Sequence, residues 1–241
     1  MNPCGAEVLN ANLNKWKTLP AGLHRCSVNE LVGLDDTALA VQYQEFVDFW
    51  EENRGWEYDT YGDFFRGRSV LELGSGLGYD GIRLSRVVKR WTFTDIIPEN
   101  VALVRRLCQL QGVKNSGHQL LGDVFTHDFG EAFDGLYAHG VLHHIPFEQA
   151  KAQVANVGRF LAPGARCMIK MYPFERWEAC GKPPFEQFGC CTDGPFTPWA
   201  EPYDEPKIQE LFGPGYALTR AVRWGAGNIE FINFELAKQG V

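Results

Sequence analysis

A chain of 241 residues is long enough for one α/β domain with a substantial core and too short for two of ordinary size. With 30 acidic against 23 basic residues and no block of like charge, its net -7 repels a phosphate backbone and argues against nucleic acid as a partner. Residues 1–30 lack a charged start followed by an apolar run, and no stretch approaches the ~20 apolar residues of a membrane span, which predicts a cytoplasmic protein without membrane association. Seven cysteines, an odd number without CxxC spacing, read as reduced thiols.

The first 35 residues show no sustained period. Leu39, Tyr43, Phe46, Val47 and Trp50 then recur at helical spacing, which predicts a helix over 36–53 followed by a turn-rich aromatic stretch from Gly55 to Gly67. Ser69 to Leu73 reads as a buried strand ending at a glycine cluster. Helix over 79–89, strand over 91–94 and helix over 98–111 follow, the last with proline in its first turn. Strands over 118–121 and 133–138, a helix carrying Phe147, Ala150, Val154, Val157 and Leu161 on one face, and a strand over 165–171 complete an alternation that predicts a doubly wound parallel sheet.

From Tyr172 to Gly215 proline, glycine and aromatic residues crowd more than forty positions, too many for an ordinary connection, and this segment reads as a lid. A short helix over 204–212 and two strands, 216–224 and 228–236, joined at Gly225-Ala226-Gly227, end the chain. The organisation expected is one domain over 1–241, with an N-terminal helical cap over 1–55 and the lid inserted at 172–215.

The run Val70-Leu-Glu72-Leu-Gly74-Ser75-Gly76-Leu-Gly78-Tyr-Asp80 is a strand feeding a glycine loop that opens a helix. Glycines there allow backbone amides to approach a nucleotide, aided by the partial positive charge of a helix start. A nicotinamide dinucleotide site would require a third fingerprint glycine where Tyr79 stands. The segment instead resembles the first motif of class I S-adenosylmethionine-dependent methyltransferases, with an acidic residue two positions before the first glycine. The resemblance extends in order from about Trp50 to the C-terminus.

It implies a Rossmann-like, mostly parallel seven-stranded sheet with an antiparallel final strand, and S-adenosyl-L-methionine as methyl donor. Glu72, Gly74, Ser75 and Gly76 would form the donor loop. Asp95, ending Phe93-Thr-Asp95-Ile96, would accept from the ribose hydroxyls, with Ile96 against the adenine; a helix cap ahead of Pro98 is the other role open to Asp95. Asp123 and Val124, in Gly122-Asp-Val-Phe125, match the segment that meets the adenine amino group, although aspartate after glycine is also a common turn residue.

The run Phe133 to Pro146 resembles the fourth-strand motif of small-molecule methyltransferases and places His139 at the strand's carboxyl end, where ligands of open parallel sheets bind. The nucleic-acid enzymes' Asn/Asp/Ser-Pro-Pro-aromatic motif is missing there, so a small-molecule acceptor is expected. His139 and His143 are the candidate general bases, His139 also bordering the donor, and Tyr172 and Trp177 the candidate acceptor-binding residues. Adjacent histidines rarely point one way, so His143 and His144 predict no metal site. Oxygen, nitrogen and carbon remain open as methylated atom, as do the oligomeric state and a non-catalytic, donor-binding role.

Overall fold

A computed structural model describes residues 3–18, 27–225 and 230–240. The chain divides into two compact units, Trp16–Gly122 and a second made of Met1–Lys15 with Asp123–Val241.

In the first unit, helix α2 (Val28–Gly33) starts at a capping box. Glu30 N–H donates to Ser27 Oγ at 3.2 Å and Ser27 N–H donates to Glu30 Oε2 at 2.6 Å, satisfying two helix-start donors reciprocally. Helix α3 (Asp36–Phe65) starts where Asp35 accepts from Ala38 N–H. It does not stop at residue 53 as the sequence reading expects. Arg54 leaves helical geometry (φ -152°, ψ 29°), the axis kinks, and Tyr58, Tyr61 and Phe65 continue the buried face at helical spacing. Gly55 and Gly62, read as turn signals, lie inside this second half.

Strands β1 (Ser69–Leu73), β2 (Arg90–Asp95) and β3 (Ser116–Leu120) run parallel in the order β3-β2-β1, with Leu71 opposite Thr92 and Phe93 opposite His118. Every residue of β1 is buried, Ser69 and Glu72 included, as expected of a central strand covered on both faces. Helix α4 (Tyr79–Leu84) is five residues shorter than expected, and α5 (Pro98–Leu110) buries Val101, Val104, Leu107 and Cys108 on one stripe.

In the second unit, β4 (Phe133–His139) pairs in parallel with β5 (Leu161–Pro173), separated in sequence by α6 (Phe147–Gly158). The final strands, β7 (Tyr216–Trp224) and β8 (Phe231–Lys238), are antiparallel to each other, and β8 pairs antiparallel with β5. The expected joint at Gly225-Ala226-Gly227 lies, beyond Gly225, outside the described residues.

The stretch read as a lid is folded in its own right. It holds α7 (Phe174–Ala179), α8 (Phe185–Asp193), the short strand β6 (Pro202–Tyr203) beside β5, and α9 (Glu205–Phe212) capped by Asp204. Tyr172, Phe188 and Ala200 form its core, with Trp177 packed against them. The Lys207 ammonium lies 2.8 Å from Glu201 Oε1 and 4.5 Å from the Tyr203 ring centre, joining α9 to this core. Helix α1 (Pro3–Thr18) meets the same region: Asn12 Nδ2 donates to His144 O at 2.6 Å, and Lys15 Nζ donates to Asp193 O at 3.2 Å and Pro195 O at 2.8 Å.

Candidate functional site

Within the first unit the carboxyl ends of β1 and β2 gather six of the residues singled out from the sequence. Gly74, Gly76 and Gly78 all adopt positive φ, so the loop takes a course that L side chains resist. The three are not equivalent. A Cβ on Gly78 would lie 2.7 Å from Val104, so packing excludes a side chain there, whereas one on Gly76 would enter open space. The open side of Gly76 is where a ligand can reach the backbone, and a nucleotide held by main-chain groups fits it.

Asp95 holds this loop in place. Its carboxylate accepts from Gly76 N–H (2.9 Å), Ile97 N–H (2.9 Å) and Asn100 Nδ2 (3.1 Å). Burial pushes its pKa up, and these donors oppose the rise. Asp95 therefore ties the chain just ahead of α5 to the glycine loop, while the N-cap of α5 is Ile97 and carries no side-chain cap bond, so Asp95 is not the helix cap. Ser75 is buried, with its N–H donating to Thr94 O at 2.9 Å, while Ile96 stays half-buried at the end of β2.

Glu72 is buried beneath the loop and accepts from Trp91 Nε1 at 2.6 Å. Desolvation holds it well above the usual carboxylate range, reinforced by Asp80 and Asp95 and opposed by the Trp91 indole and Arg54. Arg54, at the kink of α3, is a residue that sequence reasoning missed. Its guanidinium is 2.9 Å from Glu57 Oε2 and 2.7 Å from Asp80 Oδ1, lies 4.4 Å from the Trp50 ring centre, and Tyr58 donates to the same Asp80 oxygen at 3.0 Å. These charges, all nearly inaccessible to water, anchor the helix that follows the glycine loop.

In the second unit Asp123 is exposed and folds a turn on itself, accepting from Phe125 N–H at 2.9 Å and Thr126 Oγ1 at 3.0 Å. Val124 is buried. His139, half-buried at the end of β4, stacks on Tyr137 and is opposite Lys170 of β5.

His143 and His144 occupy a single 3-10 turn, Leu142–His144. Their Nε2 atoms face each other at 3.1 Å, His144 Nδ1 is 3.0 Å from the Trp199 carbonyl oxygen, and the His143 ring centre is 4.2 Å from that of Tyr172. His143 is 1% exposed, and burial, with the neighbouring side chains of His144, Lys170, Arg176 and His139, holds its pKa well below the ordinary value. His143 is therefore a neutral imidazole at physiological pH. Tyr172 is also buried, and its hydroxyl donates to the Asp193 carboxylate at 2.8–2.9 Å. Trp177 is half-buried, its indole N–H donating to Pro183 O at 2.8 Å. The structure thus brings His143 and Tyr172 together, with Trp177 one layer out.

Residues 70–164 match a sequence family described as a methyltransferase domain. A protein-L-isoaspartate O-methyltransferase from Syntrophotalea carbinolica is 30% identical over 97 residues, which cover 40% of this chain and 44% of that protein; the chain thus spans less than half of that relative's length. Two solved structures match far more of the chain. The N-methyltransferase NodS from Bradyrhizobium japonicum, in complex with S-adenosyl-L-homocysteine, superposes with TM-score 0.60 at 15% identity over 88% of this chain and 97% of its own. The magnesium protoporphyrin IX methyltransferase ChlM from Synechocystis, also with bound S-adenosylhomocysteine, superposes with TM-score 0.60 at 16% identity over 98% and 96%. The fold is the mostly parallel, Rossmann-like α/β fold of these methyltransferases, including the antiparallel strand expected at the end of the chain.

Proposed function

We propose that the chain is a methyltransferase that uses S-adenosyl-L-methionine, releases S-adenosyl-L-homocysteine and methylates a small-molecule acceptor. The observation that carries this reading is the loop after β1, where Gly76 presents open backbone at positive φ while Asp95 of the neighbouring strand fixes its amide, inside the segment that matches methyltransferase domains. Glu72, Gly74, Ser75, Gly76, Asp95 and Ile96 hold the donor in this reading.

The bound donor supplies a methyl group already activated by its sulfonium. The protein's task is then to align an acceptor, exclude water and receive a proton, and positioning alone supplies on the order of 7–11 kcal/mol in favourable cases. His143, dry and neutral, suits the proton-accepting role, which typically adds 10²–10⁴-fold in rate. His139 borders the same strand end, and the aromatic layer of Tyr172 and Trp177 excludes water from the acceptor.

Calorimetry with S-adenosylhomocysteine tests the proposal. The parent binds it and is thermally stabilised, NAD gives no shift, and Gly76→Val weakens the affinity at least tenfold because its side chain fills the open face. A well-folded parent with no affinity for S-adenosylhomocysteine or S-adenosylmethionine refutes it.

A further inference from the structure

The two adjacent histidines have a consequence that goes beyond one base. We infer that His143 and His144 form a tautomer-locked proton relay ending at Asp193, built to receive an acceptor whose nucleophilic atom carries an O–H or N–H proton. The inference rests on the methyltransferase reading above for the reaction, but not for the tautomers.

The lock follows from one carbonyl. Trp199 O can only accept, so His144 Nδ1, 3.0 Å away, carries hydrogen. In a neutral imidazole the other nitrogen then holds a lone pair, so His144 Nε2 accepts. His143 Nε2, facing it at 3.1 Å, must be the donor. That leaves a lone pair on His143 Nδ1, an atom shut off from water and without a hydrogen-bond partner among the described residues. A buried acceptor left unmet is destabilising, so a donor that arrives with a ligand and meets it is favoured. A tertiary amine or a thioether brings no such donor.

The step balances within these groups. As the acceptor atom bonds to the methyl carbon, the electron pair of the broken carbon–sulfur bond goes to sulfur and the acceptor's proton passes to His143 Nδ1. His143 gives its Nε2 proton to His144 Nε2, and His144 becomes the imidazolium. The charge is better placed there. His143 faces Lys170 from β5, Arg176 from α7, His139 from β4 and the neutral Tyr172 hydroxyl, all without anionic charge. His144 Nε2 lies 3.7 Å from Asp193 Oδ2, whose carboxylate is oriented by the hydroxyls of Tyr172 and Thr192. Lys15 of α1 is turned to the carbonyls of Asp193 and Pro195, and Glu201, next to Trp199, to Lys207. Asp193 is partly exposed (21%), which lets the proton reach water. His144 and Asp193 are positioning residues, acting through His143.

Histidine ¹⁵N spectra of the full chain test this without an identified acceptor. The expected result is the Nε2–H tautomer for His143 and the Nδ1–H tautomer for His144; the reverse pair overturns the lock. Phenol, an O–H donor, should shift the His143 Nδ1 resonance, and anisole, the same ring with the proton replaced by methyl, should not. An equal response to both, or to neither, overturns the donor assignment. Asp193→Asn should lower the proton affinity of the histidine pair roughly tenfold, one pH unit of titration midpoint, with S-adenosylhomocysteine affinity unchanged. An unmoved midpoint overturns the role of Asp193. Loss of S-adenosylhomocysteine binding by the parent overturns the methyltransferase reading and leaves the tautomers to be read independently.

Discussion

Replacing Arg54 by methionine keeps the length and apolar stem of the side chain and removes its charge. In the parent the guanidinium meets Glu57 at 2.9 Å and Asp80 at 2.7 Å, with side-chain exposures of 1%, 1% and 8% for the three residues. Breaking such a pair leaves uncompensated buried charge, which costs about 3–5 kcal/mol, a large part of a domain's ~5–15 kcal/mol total. Two buried carboxylates lose the guanidinium here rather than one, so the upper part of that range is expected. Urea unfolding followed by tryptophan fluorescence measures the loss. The triple variant Arg54→Met, Glu57→Gln, Asp80→Asn should recover at least half of the loss, since neutral amides need no counter-ion. A single variant within about 1 kcal/mol of the parent, the value of a surface pair, would falsify the reasoning.

Glu72→Gln probes another buried carboxyl of the first unit. Its folded-state pKa is raised, so the folded chain keeps a proton that the unfolded chain releases above the ordinary carboxylate range; parent stability therefore falls as pH rises from that range through the raised value. Glutamine cannot ionise, and its stability relative to the parent should grow between pH 5 and pH 8; parallel curves would contradict the raised pKa. Gly81→Ala should cost about 1–3 kcal/mol or more, because its Cβ would be driven into the Glu72, Trp91 and Phe93 side chains; an unfolding midpoint equal to the parent's would show that α4 can lift off β1 without penalty.

The glycine loop and the alternating strands were legible because their signals are local. Ser69–Leu73 is a short run centred on Val70, Leu71 and Leu73 and stopped by glycine, and the observed strand has those limits. Helix α3 was misjudged at its midpoint, where Gly55 and the surrounding aromatics read as turn chemistry. What overrides them is burial of Glu57, Tyr58, Tyr61 and Phe65 and the ion pair from Arg54 to a residue 26 positions away, neither visible in local pattern. Phe174, Trp177, Phe185 and Trp199 announced that residues 172–215 are ordered, but the sequence left open whether these rings cover a ligand or one another. Their edge-on packing shows a core. His143 drew attention by its neighbour and its strand end. The roles of Trp199 and Asp193, some fifty residues on, could be read only from coordinates.

The moorings of α1 set an order of events during synthesis. Asn12 and Lys15 leave the ribosome well ahead of the carbonyls they grip, which belong to residues 132 to 180 positions later. At roughly 5–20 residues per second the opening helix waits on the order of ten to forty seconds for its berth. The two grips close in sequence: the carbonyl held by Asn12 is made with the histidine turn, whereas those held by Lys15 follow only after the aromatic layer has begun to emerge, so the end of the relay at Asp193 is fastened after its histidines.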